Sequence, residues 1–240
     1  MTTSTTALSD KVHKTRLWIA LVPALVVPSL GALIYFVWWS GTPMGQAAMV
    51  VTKVFGLIWP IVATLCILRR PVWTRKKINW PVTFGIGIGS GVLIGALMLA
   101  LTHWTPLGEF IFEAAPMIQQ KVVDLGFANN FLLLALLISF FNSAMEEYYW
   151  RWFTYGRLRE VLKSRFWPHV FAALGFTAHH VIVTLQFFPL PFVVFLCSGI
   201  FVGGLIWSWL YERQGHLWGA WISHILADLA IFFIAWQVIS

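Results

Sequence analysis

Toward the end of one apolar stretch the chain reads Asn142-Ser143-Ala144-Met145-Glu146-Glu147-Tyr148-Tyr149-Trp150-Arg151. On a helix Glu147 and Arg151 are four residues apart and share a face, so they can pair, whereas Glu146 points about 100° away. A second apolar stretch carries Phe176-Thr177-Ala178-His179-His180, with Phe176 and His180 on one face. A third carries His224-Ile225-Leu226-Ala227-Asp228, where the aspartate, one turn on, can fix the tautomer of the imidazole. Taken singly, these groups read as charges snorkelling at a helix end, a hydrogen-bonded core histidine and a helix-packing polar pair. Yet an ionisable side chain within a membrane span costs roughly 2.5–3.5 kcal/mol, which makes each one a functional candidate. Together they supply a base, two imidazoles and orienting carboxylates, the groups that hydrolysis inside a membrane needs.

These side chains require a membrane scaffold. Of the 240 residues 59% are hydrophobic and 10% charged, unlike the half-apolar, quarter-charged mix of a soluble domain. Apolar windows predict helices near 17–39, 46–68, 81–103, 128–154, 167–187, 190–211 and 216–238. Each is long enough to cross about 30 Å of hydrocarbon. The expected fold is therefore all-α: a polytopic membrane helix bundle of about seven transmembrane helices, forming a single membrane domain over residues 1–240.

The net charge of +7 lies in short loops, so it reads as topology and implies no nucleic-acid partner. Of the 16 Lys and Arg, 14 fall on one side: Lys11, Lys14 and Arg16; Arg69, Arg70, Arg75, Lys76 and Lys77; Arg151, Arg157, Arg159, Lys163 and Arg165; and Arg213. The positive-inside rule makes that side, and the N-terminus, cytoplasmic in a multi-pass protein of the cell membrane. Lys121 lies opposite and Lys53 falls inside the second helix. The first apolar stretch is too long for a cleaved signal and reads as a retained helix. Cys66 and Cys197 lie in apolar spans and suggest neither a disulfide framework nor a thiolate site.

Tryptophans at the expected helix ends, including Trp38, Trp39, Trp73, Trp80, Trp104, Trp150, Trp152 and Trp167, read as interfacial anchors. Gly87, Gly91 and Gly95 in the third helix, and Gly199 and Gly203 in the sixth, read as close-packing positions. The stretch 105–127, with Glu109, Glu113, Lys121 and Asp124 among apolar residues, reads as an interfacial helix on the outer face.

The order Glu146-Glu147-x-x-x-Arg151, Phe176-x-x-x-His180, His224-x-x-x-Asp228 resembles the three motifs of the CAAX prenyl endopeptidase and bacteriocin-processing (CPBP, or Abi) family of intramembrane proteases. The resemblance covers residues 127–240, marking them as the catalytic portion. It implies peptide-bond hydrolysis in which Glu146 and His180 activate a water while His224 and Asp228 steady the oxyanion. Glu147, Arg151 and Phe176 would support these four. Position 228 is Asn or Asp in the family, and an ionised Asp cannot donate to an oxyanion. The residues themselves suit such roles. Glu146 is the glutamate not committed to Arg151, and an imidazole donor at His224 can stabilise developing charge by roughly 3–4 kcal/mol.

Many family members are labelled metalloproteases, and Glu146, His180 and His224 are the ligands expected if Zn²⁺ is present. The chain lacks the His-Glu-x-x-His helix of zincins, and the expectation is a metal-independent glutamate mechanism without a cofactor. Expected partners are membrane lipids and a peptide or protein substrate, prenylated or membrane-anchored. Two other readings stay open: a non-catalytic self-immunity or scaffold protein of the same fold, and a proton-coupled transporter relaying through Glu146, Glu147, His180 and Asp228.

Overall fold

A computed structural model of the protein describes residues 2–72, 77–124 and 130–239, with side chains from Asp10 onward except at 121 and 124. Every regular element among them is helical. Seven long helices form the bundle: α1, which crosses the apolar layer over Asp10–Trp38, α2 (Pro43–Ile67), α3 (Trp80–Trp104), α6 (Phe131–Leu162), α7 (Trp167–Thr184), α8 (Leu190–Gln214) and α9 (Trp218–Ile239). Two short helices, α4 (Leu107–Glu113) and α5 (Ala115–Asp124), occupy the stretch expected to be interfacial.

Six of the seven long helices are long and apolar enough to span a membrane, against an expectation of about seven. The exception is α7, whose 18 residues include His169, His179 and His180. It packs against α1, α6 and α8, so much of its surface meets protein and does not need to be apolar.

Helix boundaries follow local chemistry. The Thr42 hydroxyl caps α2 by accepting from the Gly45 N–H at 3.2 Å, with Pro43 just inside, and Asn79 caps α3 before Pro81. Helix α8 stops at Gly215, whose φ of 72° is a left-handed conformation that a residue without Cβ adopts at no steric cost.

The glycine stripe of α3 seats α9. A Cβ on Gly91 would lie 2.8 Å from Leu226 Cβ, and one on Gly87 would lie 2.9 Å from the Gly219 carbonyl oxygen. The α3–α9 pair is thus drawn to backbone contact, which sets the height and rotation of the helix that carries His224 and Asp228. In α8 the expected positions differ. Among the described residues nothing lies within 4 Å of a Cβ on Gly199, and the atoms nearest one on Gly203 belong to Trp207 of its own helix, whereas Gly204 faces Ala173 and Phe176 of α7.

Helix α6 runs to Leu162, beyond the expected end at 154. Its continuation is polar but ion-paired: Arg157 meets Glu160 at 3.1 Å, and Arg159 meets Glu212 of α8 at 2.9 Å. Arg70 joins Glu160 at 2.6 Å and His169 joins Glu212 at 3.0 Å. His13 of α1 lies 3.2 Å from the Arg70 guanidinium, so the start of α1, the end of α2, the end of α6, the start of α7 and the end of α8 meet at one end of the bundle, the end that carries the excess of basic residues. Trp73, Arg75 and Lys76 lie outside the described residues, as do the side chains of Lys121 and Asp124.

Because α6 is longer, Trp150 is not at a helix end. It is buried and its ring stacks on His179 at 5.8 Å with a 4° interplanar angle, a packing role in place of the expected anchor. Trp38, Trp39, Trp80, Trp104 and Trp167 are exposed at helix ends, where an amphipathic ring favours the headgroup region.

Candidate active site

The centre of α6 is not uniform. One α-helical turn, Ser143–Glu147, lies between two π-helical segments, Ile138–Asn142 and Tyr148–Tyr155. The Thr154 hydroxyl donates to the Tyr149 carbonyl five residues back, the spacing of a widened turn. Such segments rotate the residues that follow them, and they concentrate at functional sites. Here they frame Glu146 and Glu147. Trp221 of α9 ties this turn to its neighbour by donating its indole N–H to Ser143 Oγ at 3.1 Å.

Glu147 and Arg151 form the buried pair that their spacing suggests, with Arg151 Nη1 at 3.2 Å from Glu147 Oε1. The guanidinium is enclosed by aromatic faces, Cζ lying 4.6 Å from the Phe176 ring centroid and 5.1 Å from that of Trp207. Glu147 is also a member of the site. Its Oε1 lies 2.8 Å from His224 Nδ1, so the buried carboxylate accepts from that nitrogen and fixes which way the imidazole faces. The ring also stacks on Trp207, with centroids 3.8 Å apart, and Trp207 is held by donating its N–H to Ser223.

The orienting carboxylate of His224 is therefore Glu147 and not Asp228, which approaches the other nitrogen, Nε2, at 3.6 Å, beyond hydrogen-bond distance. Glu146 Oε2 stands 3.7 Å from the same Nε2. One imidazole thus faces three carboxylates, one at Nδ1 and two at Nε2. With Nδ1 directed at Glu147, His224 can donate from Nε2 only when both ring nitrogens carry protons.

His180 Nδ1 lies 2.8 Å from the Phe176 carbonyl oxygen, which can only accept. The proton is therefore on Nδ1, and in the neutral ring Nε2 keeps its lone pair. Phe176 is the partner of both histidines, its ring 4.6 Å from His180 and 6.0 Å from His224. Glu146 is half-buried and accepts at Oε1 from Asn142 Nδ2 at 2.8 Å.

Among the described residues Glu146, His179 and His180 offer ligand-type atoms that all lie within 4.8 Å of one another. Two imidazoles and a carboxylate at this spacing are a donor set that Zn²⁺ accepts, with one position left for water. This set has His179 where the sequence suggested His224, whose Nδ1 is already taken by Glu147. The structure thus brings Glu146, His180, His224 and Asp228 together from three helices, with Glu147, Arg151 and Phe176 packed around them.

Four contributors carry no role that the sequence alone assigns. His179 was legible as the neighbour of His180, and Asn142 as the residue one turn before Glu146. Lys53, which donates to Asn142 Oδ1 at 2.7 Å, had only its unexplained charge within a helix to mark it. Trp207 carried no signal.

Residues 128–230 match the family model for type II CAAX prenyl endopeptidases of the Rce1-like kind, the group that the three motifs resemble. No curated protein and no solved structure matches the chain.

Proposed function

We propose that this protein is an intramembrane endopeptidase that hydrolyses a peptide bond near the membrane using a water held between Glu146 and His180. The observation that carries the reading is the convergence of Glu146, His180 and His224 in a multi-pass bundle, in a segment that matches CAAX-type membrane proteases. The substrate class is a peptide or protein tail carrying a prenyl group or another membrane anchor, which would bring the scissile bond to the bilayer.

In this mechanism the water gives its proton to the Glu146 carboxylate while its oxygen adds to the scissile carbonyl carbon. His180, with Nδ1 committed to Phe176, offers its Nε2 lone pair to the same water. Doubly protonated His224 donates from Nε2 to the oxyanion, backed by Glu147 at Nδ1. Asp228 lies on the Nε2 side at 3.6 Å and, when ionised, cannot itself donate to the oxyanion. Collapse of the tetrahedral intermediate breaks the C–N bond, and Glu146 returns its proton to the leaving amine.

A second reading has a specific observation behind it. The cluster of Glu146, His179 and His180 would hold a divalent cation such as Zn²⁺, which would polarise the carbonyl and activate the water. The two readings differ at His179. The glutamate mechanism predicts that activity on a farnesylated peptide ending in a CAAX sequence survives prolonged chelation, with His179→Ala losing less than about tenfold and His180→Ala losing nearly all. Loss on chelation, recovery with added Zn²⁺, and stoichiometric zinc that disappears in His179→Ala would establish the metal reading instead. A protein that is folded in membranes but cleaves no anchored peptide would favour the non-catalytic alternative.

A further inference from the structure

Lys53 is the charge that topology does not explain. It stands ten residues after Pro43, roughly 15 Å along α2 at about 1.5 Å per residue, well inside the apolar layer. A lysine at such a depth costs roughly 2.5–3.5 kcal/mol on insertion scales, so its place calls for a compensating role. Its ammonium lies 2.7 Å from Asn142 Oδ1, across 89 residues of sequence. An ammonium has only donors, so the amide must present oxygen to Lys53 and therefore its NH₂ to Glu146, whose Oε1 it reaches at 2.8 Å.

We infer that Lys53 is a positioning residue for Glu146, acting through the Asn142 side chain. This rests on the proposed role of Glu146 as the base. Asn142 ends the π-helical segment Ile138–Asn142, one turn before the glutamate. With the amide locked by Lys53, Oε1 is occupied and the carboxylate plane is fixed. Oε2 is then left as the oxygen beside His224 Nε2, at 3.7 Å. Without the ammonium, the amide is free to rotate by half a turn and set its oxygen against the carboxylate, which repels the glutamate from its working position. The device also gives α2 a part in the reaction, although the family match begins only at residue 128.

Lys53→Met, Lys53→Arg, Asn142→Leu and Glu146→Gln would be compared with wild type in the same lipid nanodiscs, with the farnesylated CAAX peptide as probe. Positioning predicts that Lys53→Met and Asn142→Leu lower kcat by roughly 10- to 100-fold with KM within about twofold, and that Lys53→Arg restores most of the rate. A raised KM with unchanged kcat would place Lys53 on the substrate and overturn the inference, and so would a fully active Lys53→Met. Thermal unfolding of Lys53→Met, Glu146→Gln and the double variant supplies a readout that does not depend on the probe. The inference predicts that the double variant melts above the temperature expected from adding the two single shifts, because the second substitution removes a contact already lost. Additive shifts would contradict it. If wild type leaves the probe uncut while the shifts are non-additive, the peptidase reading fails and the Lys53–Asn142–Glu146 link stands. If wild type cleaves the probe and Lys53→Met cleaves it equally well, the peptidase reading stands and the positioning role of Lys53 is lost.

Discussion

Adjacent glutamates on α6 do different things because each meets a different neighbour. Glu147 is fully buried against Arg151 and His224, while Glu146 keeps one oxygen on Asn142 and turns the other toward His224. Removing the Glu147 carboxylate leaves a guanidinium buried between two aromatic rings, and a broken buried pair costs about 3–5 kcal/mol. Glu147→Ala should therefore fall in abundance and in melting temperature together, and Glu147→Gln, which keeps the volume but not the charge, should fall less. A Glu147→Ala protein of normal abundance and stability would show that Arg151 does not depend on this partner. The pair was legible from its i,i+4 spacing, and Glu146, His180 and His224 were legible as ionisable residues in apolar spans. The identity of the carboxylate that orients His224 was not. Sequence spacing offered Asp228 on the same helix, but a partner on a facing helix is set by helix rotation, which no local pattern records.

At the scale of elements, the site depends on how α9 is set against α3 and how α6 is widened. Gly91 lies where any side chain would enter Leu226 and Ser223, the latter one residue before His224, whereas a Cβ at Gly89 has no described residue within 4 Å. Gly91→Ile should push α9 away, lowering the melting temperature and reducing peptide cleavage by more than about tenfold, while Gly89→Ile should leave both near wild type. Equal effects at the two positions would mean that the stripe is not what seats α9. The α3 glycines were readable because they recur every four residues. The length of α6 was not, because hydropathy reads Arg157, Arg159 and Glu160 as the end of a span. Their charges are met by Arg70, Glu160 and Glu212, so the helix continues into the interface. That extension is what sets Glu146 level with the histidines of α7 and α9. The π-helical segments have no signature in composition, since they reflect how α6 fits its neighbours.

For the whole molecule, the ionic layer gathers one end of five helices, the end with the excess of basic residues, and the positive-inside rule predicts that this end faces the cytoplasm. In a Cys66→Ser background, Arg165→Cys should resist a membrane-impermeant maleimide added to intact cells, and Ser40→Cys should react with it. The opposite pattern would invert the orientation. Helices outside the family match pack on the matched segment, α1 against α7, and α2 through the Lys53 bond to Asn142. The central claim is that this bundle hydrolyses a peptide bond with Glu146 as the base. Its most direct test is the mass of the released C-terminal fragment and of the new carboxylate when the farnesylated CAAX peptide is incubated with nanodisc-embedded protein in ¹⁸O-water. The account predicts one cut near the anchored cysteine, one ¹⁸O in the new carboxylate after a single turnover, and no product with a folded Glu146→Gln variant. Cleavage by Glu146→Gln at the wild-type rate would contradict it.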